Sequence, residues 1–151
     1  MIALLQRALE ARVTVDGDTV GEIGPGLVVF ACAERGDSSR QVGRLADRML
    51  SFRIFPDETG RMNRAVRDTG GGVLLVSQFT LAADTRSGNR PSFTPAADPE
   101  TGRLLYEELV QKVTAAHSPV ATGRYGAHME VHLVNDGPVT FLLRVDPDGD
   151  R

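Results

Sequence analysis

The sequence predicts a mixed α/β domain of the α+β type, in which a mixed β-sheet is covered by two main amphipathic helices. Three observations support this fold class: the elements follow the order strands, helix, strand, helix, strands; each helical segment has one apolar face; and 151 residues suit one domain. No repeat or linker divides residues 1–145, which we predict to be a single domain. Residues 146–151 form an acidic tail that is expected to fray.

The first part of the chain is predicted to be mainly β-structure. Residues 13–33 contain β-branched apolar runs separated by Asp-Gly-Asp and Gly-Pro-Gly, which indicates a hairpin followed by a buried strand. Residues 2–12, IALLQRALEAR, are ambiguous, because their composition favours a helix whereas their position before the hairpin suits a strand. Propensity alone predicts the helix.

Two segments have the apolar spacing of amphipathic helices. Residues 38–52 have Asp37 or Ser38 as a candidate N-cap, and the second segment begins with Asp98 as N-cap and Pro99 at the first helical position. The first stripe consists of Val42, Leu45, Ala46, Met49 and Leu50. The second consists of Leu104, Leu105, Leu109 and Val113. Both stripes are predicted to face the core.

The remaining apolar runs are predicted to be strands. Residues 70–82 pass from a glycine-rich turn into a continuous apolar run, which is typical of a strand buried on both faces. Residues 128–135 and 139–145 are predicted to be two strands joined by a turn at the Asn-Asp-Gly-Pro cluster.

Charge and composition exclude several classes of protein. A formal net charge of −3 argues against a protein that neutralises many phosphates of a long nucleic acid, although contact with a nucleic-acid end needs only a few basic residues. No apolar run reaches the ~18 residues of a membrane helix, and Arg7, Glu10 and Arg12 interrupt any signal peptide, so we expect a cytoplasmic protein. Cys32, the only cysteine, is predicted to be a buried, inert thiol.

Ser77, Gln78 and Thr80 are polar residues at the end of an otherwise apolar run. Buried polar side chains need hydrogen-bond partners. This segment is either a strand end whose hydroxyls bond neighbouring backbone, or a cluster of hydroxyl and backbone N–H groups that receives a ligand carbonyl. The irregular segment 87–95, SGNRPSFTP, is either a plain connection or a stiffened binding loop.

Gly137 and Pro138 form a second candidate site. A cis peptide bond costs least before proline, about 0.5–1 kcal/mol, and glycine exposes bare backbone. The pair is either a structural turn or a backbone wall, free of side chains, against which a ligand packs. The preceding Asn-Asp-Gly could have made a plain hairpin turn without the proline.

The sequence predicts no metal or cofactor site. His128, Glu130 and His132 alternate, but the three residues next to them are apolar and suit the core face of a strand, so the polar set is expected to face solvent. No Gly-x-Ser-x-Gly elbow, phosphate-binding loop or dinucleotide fingerprint is present.

Several segments together resemble the D-aminoacyl-tRNA deacylase family over nearly the whole chain. They are MIALLQRA at the start, GEIG near residue 21, RIF at 53–55, GGGVLLVSQFTLAADT at 70–85, NRPSF at 89–93, TGRYGAHM at 122–129 and VNDGPVTF at 134–141. The two most specific motifs are Ser-Gln-x-Thr at 77–80 and Asn-x-Gly-Pro-Val-Thr at 135–140.

This resemblance implies a strongly curved sheet and an enzyme that hydrolyses the ester between a D-amino acid, or glycine, and the 3′-terminal adenosine of tRNA. Such an enzyme rejects L-aminoacyl-tRNA and uses no cofactor. The resemblance also implies a homodimer in which the Gly-Pro motif, with a cis peptide bond, reaches into the pocket of the other subunit. The acceptor end of aminoacyl-tRNA would then be the partner.

Site roles follow from the same resemblance. Gly137 and Pro138 would form the wall that excludes an L side chain, and Arg7 would orient the Gly-Pro carbonyl groups. That role makes the opening segment a strand, because tertiary context can override propensity. Phe93 would line the adenosine side of the pocket.

The proposed chemistry uses the motif at 77–80. Backbone N–H groups of Phe79 and Thr80 would hold the substrate carbonyl, while Ser77 and Gln78 shape the pocket. The Thr80 hydroxyl has no evident general base, so attack by water, assisted by the ribose 2′-hydroxyl, is the favoured hypothesis. The alternatives are a non-catalytic homodimeric binding module for D-amino acids or peptide ends, and a purely structural homodimer.

Overall fold

The computed structural model describes residues 1–147. The strands are β1 (Ile2–Val15), β2 (Asp18–Ile23), β3 (Gly26–Cys32), β4 (Phe55–Pro56), β5 (Met62–Arg64), β6 (Gly72–Ser77), β7 (Val120–Thr122) and β8 (Glu130–Arg144). The helices are α1 (Ser39–Ser51), α2 (Val66–Thr69), α3 (Pro99–Ala116) and a 3-10 helix at Phe79–Ala82. The predicted mixed fold is confirmed, with a small β4–β5 hairpin and the short α2 in addition.

The main sheet is mixed. Its strands follow the order β2-β1-β3-β6-β7, and β8 pairs with the other edge of β1. β1 is antiparallel to β2, β3 and β8, whereas β3, β6 and β7 run parallel to one another. The carboxyl ends of β3 and β6 therefore lie side by side, which is where ligands bind in parallel sheets.

The sheet curls until its two ends meet. β2 and β7 are the ends of the strand path, yet Gly21 of β2 packs directly against the backbone of Thr122 in β7. A Cβ atom at position 21 would overlap the Thr122 carbonyl oxygen, so only glycine permits this approach. The sheet is therefore strongly curved and nearly closed.

The two central strands are buried on both faces, as the continuous apolar run of β6 predicts. In β3, Leu27 and Val29 join the core under the helices, while Val28 joins a second core inside the curve of the sheet. Val73 and Leu74 divide between the two cores in the same way in β6. This alternation follows from the two-residue period of a strand.

Local capping chemistry determines where the long helices begin. The Ser38 hydroxyl accepts from Arg40 N at 3.3 Å, and the Gln41 side chain accepts from Ser38 N at 2.9 Å, which completes a capping box. Asp98 accepts from Thr101 N at 3.0 Å before Pro99 opens α3.

Leu104 is the one member of the predicted apolar stripes that faces solvent. Its side chain is 52% exposed, whereas Leu105, Leu109 and Val113 of the same helix are buried. The prediction for Leu104 was therefore wrong. The buried positions repeat every four residues on one narrow face, and Leu104 lies outside that face.

Helix propensity makes the wrong prediction for the opening segment, which is the strand β1. Ala3 and Leu5 pair with β3 on one side and with β8 on the other. Backbone groups that are bonded along both edges cannot also form a helix, so pairing between distant segments overrides local preference. The strand expected from the family resemblance is correct.

The predicted turn between two C-terminal strands is also wrong, because β8 is one strand that pairs antiparallel with β1 on both sides of residues 136–139. Gln6 lies opposite Thr140, and Ala8 lies opposite Asn135, so residues 136–139 bulge out against a single residue, Arg7. Chain direction does not reverse at the Gly-Pro pair. We call residues 135–139 the Gly-Pro loop.

The chain is held in place as far as Pro147. Met1 N donates to Val145 O at 2.6 Å, and the Gln41 amide donates to Pro147 O at 3.4 Å. The rest of the predicted acidic tail, 148–151, lies outside the described residues. None of the helices in residues 1–147 is long and apolar enough to cross a membrane.

Candidate active site

The Ser-Gln-x-Thr segment lies where the chain leaves the carboxyl end of β6. Gln78 N donates to Ala31 O at 2.8 Å, which prolongs the pairing with β3 by one residue. The 3-10 helix then begins at Phe79, and Leu81 N donates back to Gln78 O at 3.3 Å. Because a helix has no internal acceptors for its first N–H groups, those of Phe79 and Thr80 are available to a ligand.

Phe79 and Phe93 form the aromatic part of this edge. Phe79 is 58% exposed, and its ring packs against that of Phe93 in a T-shaped arrangement with centroids 5.0 Å apart. Two backbone hydrogen bonds between Asp84 and Ser92, of 2.7 and 3.1 Å, close the segment that carries Phe93. The segment 87–95 therefore places its phenylalanine beside the candidate site.

A small cavity of about 30 Å³ lies beneath this edge. It is lined by Ser77, Gln78 and Phe79 together with Tyr106 and Tyr125. A cavity of this size has room for only one or two water molecules. The cavity is therefore far smaller than a substrate.

The two tyrosines of the cavity are neutral groups with structural bonds. Tyr106 donates to Leu75 O at 3.0 Å and Tyr125 to Pro99 O at 3.3 Å, and their rings lie 5.6 Å apart. Burial raises the pKa of both phenols. Neither is suited to accept a proton at neutral pH.

Cys32 lies next to the same edge and is buried, as predicted. Its sulfur lies 3.4 Å from both Phe79 O and Ala33 O, so the single S–H group can donate to either carbonyl oxygen. Burial raises the pKa of Cys32 to about 11, so the group is a neutral thiol and a poor nucleophile.

The Thr80 hydroxyl is an exposed acceptor. The amide Nε2 of Gln78 donates to it. In the part of the chain that the structure describes, no His, Asp or Glu side chain is hydrogen-bonded to this hydroxyl. An amide N–H cannot remove a proton, so the surroundings of Thr80 do not activate it as a nucleophile.

The Gly-Pro loop is closed by its own first residue. Asn135 Oδ1 accepts from Val139 N at 2.7 Å, and Asn135 Nδ2 donates to Val139 O at 3.2 Å and to the Thr140 hydroxyl at 3.1 Å. The Gly137–Pro138 peptide bond is cis, and both residues are exposed at the tip of the loop.

Glycine is required at position 137 for two reasons. Its φ is +155°, which L side chains rarely adopt, and a Cβ atom there would lie 2.5 Å from Val139 N. The loop tip therefore consists of backbone without a side chain at this position.

Arg7 connects this loop to the segment that follows α1. Nε donates to Asp136 O at 3.0 Å and lies 3.3 Å from the Asp136 carboxylate, while Nη1 donates to Ile54 O at 2.7 Å. The contact is with the carbonyl group that precedes Gly137, rather than with the carbonyl groups of Gly137 and Pro138.

The predicted site residues fall into two groups within one chain. Ser77, Gln78, Phe79, Thr80 and Phe93 lie together, and Arg7, Gly137 and Pro138 lie together. The first group follows β6 and the second belongs to β1 and β8, with β3 between them in the order β8-β1-β3-β6. Strands lie about 4.8 Å apart, so the groups are separated across roughly three strand spacings.

The histidine cluster does not form a metal site among the described residues. His132 Nε2 lies 3.7 Å from a Glu130 oxygen, and residues 1–147 contain no group of three or more His, Cys, Asp or Glu side chains arranged to hold a metal ion.

Sequence reasoning missed three residues that shape the two groups. Asn135 closes the Gly-Pro loop, and Tyr106 and Tyr125 line the cavity under Phe79. Asn135 and Tyr125 both lie in segments that resemble the family, which was the available signal. Tyr106 has the spacing of a core residue in α3, and nothing in the sequence distinguishes it.

Comparison with known proteins adds to this geometry. Residues 4–144 match the family model described as D-Tyr-tRNA(Tyr) deacylase. A D-aminoacyl-tRNA deacylase from Paracidovorax citrulli (strain AAC00-1) is 64% identical over 149 residues, 99% of this chain and 96% of that protein. One from Methylococcus capsulatus (strain ATCC 33009 / NCIMB 11132 / Bath) is 64% identical over 98% of this chain and 97% of that protein.

Two solved structures are similar along nearly their whole length. "c-Myc DNA Unwinding Element Binding Protein" superposes with a TM-score of 0.92 at 34% identity, covering 97% of this chain and 99% of that one. A probable eukaryotic D-amino acid tRNA deacylase superposes with a TM-score of 0.82 at 16% identity, covering 94% and 97%. The second likeness is one of fold alone.

Proposed function

Because the chain belongs to the D-Tyr-tRNA(Tyr) deacylase family, we propose that it hydrolyses the ester between a D-amino acid and the 3′-terminal adenosine of tRNA. Glycine, which has no side chain to exclude, is accepted as well. L-aminoacyl-tRNA is rejected. The supporting observation is that an edge with free N–H groups at Phe79 and Thr80 occurs in the same chain as a rigidly held, exposed Gly-Pro loop.

The Gly-Pro loop is the chiral filter. Gly137 offers bare backbone at the loop tip, and the Asn135 side chain together with Arg7 holds that backbone in place. Rigid backbone against the α-carbon of a substrate leaves no room for an L side chain, whereas a D side chain points away from it. Discrimination by exclusion needs no contact with the accepted side chain.

The filter acts across a homodimer. Within one chain the Gly-Pro loop is exposed and roughly three strand spacings from Thr80, which supports a pocket that is completed by the loop of a second copy. β8 also carries exposed apolar side chains suited to an interface. They are Val134, Phe141 and Leu142, which are 45%, 38% and 58% exposed.

Subunit mixing tests this arrangement. Gly137→Ala disables the loop, and Phe79→Pro removes one N–H donor at a helix position that tolerates proline. If the loop acts across subunits, co-expressing the two variants restores one intact site per mixed dimer. If both parts act within one chain, mixing restores nothing.

Catalysis relies on positioning and charge stabilisation. An aminoacyl ester is already reactive, so N–H groups of Phe79 and Thr80 need only stabilise the carbonyl oxygen as negative charge develops. Water adds to the carbonyl carbon and gives a proton to the 2′-hydroxyl, which passes a proton on to the 3′-oxygen. The bond between the carbonyl carbon and the 3′-oxygen then breaks. Free amino acid and intact tRNA leave.

The terminal adenosine lies on the aromatic side of the edge. Phe93 stacks against the unpaired base, and Ser77 and Gln78, on the same edge as Phe79, contact the ester. The partner is thus the acceptor end of aminoacyl-tRNA. We place the activity in the cytoplasm, where this substrate is made and used.

The decisive experiment compares D-tyrosyl-tRNA with L-tyrosyl-tRNA. The proposed enzyme releases tyrosine from the first and leaves the second intact. A non-catalytic binding module would retain D-tyrosyl-tRNA without releasing tyrosine, and a structural dimer would ignore both. Either of those results would overturn the proposed activity.

A further inference from the structure

The positive charge of this acidic protein is concentrated in one part of the chain. Residues 40–67 contain seven arginines against three carboxylates, which makes this segment +4 while the whole chain is −3. The segment comprises most of α1, the β4–β5 hairpin and the start of α2. A local excess of this size creates a positive surface whatever the net charge.

Three arginines of this segment are not neutralised by a carboxylate of the described residues. Arg53, Arg61 and Arg67 are exposed and have no carboxylate partner within residues 1–147. The nearby Asp57 carboxylate accepts hydrogen bonds from backbone N–H groups of residues 59 and 61 and from the side chains of Thr59 and Asn63, and from no guanidinium. The positive charge therefore faces solvent.

An open cleft of about 360 Å³ lies within this surface, between the end of α1 and the β4–β5 hairpin. It is lined by Arg48, Ser51, Phe52, Arg53, Met62 and Asn63. Two arginines and no carboxylate line the cleft, and the 44%-exposed Met62 adds an apolar wall. Arg48 Nη1 also donates to Arg144 O at 2.8 Å, so the exposed Arg53 is the arginine with all its donors available. Guanidinium groups match phosphate geometry, so the cleft suits a phosphate of a nucleic-acid backbone.

The cleft adjoins the Gly-Pro loop through two contacts. The rings of Phe52 and Phe141, which lies just beyond the loop, pack in a T-shaped arrangement with centroids 5.4 Å apart. Arg7 bonds Ile54 O, two residues after Phe52, and Asp136 O, in the loop. In the proposed homodimer, a loop that enters the partner's pocket therefore places this cleft at the rim of that pocket.

We propose that this cleft binds backbone phosphates of the tRNA acceptor stem and so guides the 3′ end into the pocket of the other subunit. This inference rests on the proposed function, because it takes aminoacyl-tRNA as the ligand. Phosphate contacts carry no sequence information, so the cleft serves tRNAs of different sequence alike.

The test uses Arg53, which is exposed and can be replaced without disturbing the core. Arg53→Gln removes one phosphate contact, and Arg53→Glu adds repulsion. Arg103→Gln is the matched control, because it makes the same charge change on α3, where Arg103 pairs with Glu107. The substrates are D-tyrosyl-tRNA and a short D-tyrosyl ester of adenosine, which lacks the stem phosphates.

We expect Arg53→Gln to raise KM for D-tyrosyl-tRNA about fivefold with little change in kcat, and Arg53→Glu to raise it further. The loss should be at least severalfold larger on tRNA than on the short ester. In a plot of log KM against the logarithm of the salt concentration, the slope should become shallower by about one, because one phosphate contact is lost. Equal effects of Arg53→Gln and Arg103→Gln, or equal losses on both substrates, would overturn the proposal.

Binding of uncharged tRNA separates failure of the cleft from failure of the proposed function. If the wild type hydrolyses neither substrate, the proposed activity is wrong. The cleft is then tested by the affinity for uncharged tRNA, which Arg53→Gln should weaken if the cleft binds phosphate. If that affinity is unchanged in both Arg53 variants, the cleft does not contact the stem.

Discussion

Arg7 joins the Gly-Pro loop to the segment after α1: its Nε donates to Asp136 O at 3.0 Å and its Nη1 donates to Ile54 O at 2.7 Å. Ala3, Leu5 and Arg7 alternate along β1, so Arg7 points to the face that the helices cover. One planar guanidinium with several fixed donors thus positions two backbone segments at once.

Arg7→Lys should weaken the chiral filter. Lysine keeps the charge but has a single ammonium group, which cannot reproduce two divergent donors in a fixed plane. We expect kcat/KM for D-tyrosyl-tRNA to fall about 10- to 100-fold and hydrolysis of L-tyrosyl-tRNA to rise relative to it, because small misplacements of a site are costly. Arg12→Lys, at an exposed position on the same strand, is the control. Unchanged D/L discrimination would show that Arg7 does not position the loop.

Gly137→Ala should distort the loop. The added Cβ would lie 2.5 Å from both N and Cγ2 of Val139 at a φ of +155°. The expected cost is about 1–3 kcal/mol in the free energy of unfolding, with loss of deacylation. Gly24→Ala is the matched control, because no atom lies within 4 Å of the point that a Cβ would occupy there. Full activity in Gly137→Ala would contradict the proposed wall.

Thr80→Val should retain most of the single-turnover rate on D-tyrosyl-tRNA. Valine removes the hydroxyl that accepts from Gln78 but keeps the backbone N–H proposed to hold the carbonyl oxygen. We expect a loss of less than about tenfold, whereas loss of a catalytic nucleophile costs several orders of magnitude. A residual rate at background would make the hydroxyl part of the chemistry.

Cys32 should resist alkylation and contribute to pH dependence. Burial raises its pKa to about 11, so iodoacetamide at pH 8 should modify the urea-unfolded chain but not the native one. The unfolded thiol has a pKa of about 8.5, so it loses its proton first as the pH rises. The neutral thiol therefore makes its full contribution to the free energy of unfolding below pH ~8.5, and this contribution is lost as the pH rises toward 11.

Comparing the wild type with Cys32→Ala separates the titration of the thiol from that of the tyrosines, which both proteins contain. The wild type should lose its stability advantage over the variant as the pH rises from 8 to 10.5, measured by urea unfolding. A difference that stays constant with pH would show that the thiol does not titrate in this range.

Local hydrogen-bonding chemistry could be predicted because donor and acceptor are neighbours in the sequence. Ser38, one of the two candidate N-caps, caps α1, and Asp98 with Pro99 begins α3, as their positions before the apolar stripes indicated. The continuous apolar run of β6 likewise predicted a strand buried on both faces. The two motifs of the candidate site were also visible, since each spans only a few residues.

Tertiary structure decided what depends on distant partners. Residues 2–12 have helix-forming composition yet form a strand, because β3 and β8 satisfy both edges of their backbone. Asn135 and Arg7 turn the Gly-Pro pair into a bulge within one strand, where the sequence alone indicated a turn between two. Pairing between segments more than 100 residues apart outweighs preferences of a few tenths of a kcal/mol per residue, and no local pattern records it.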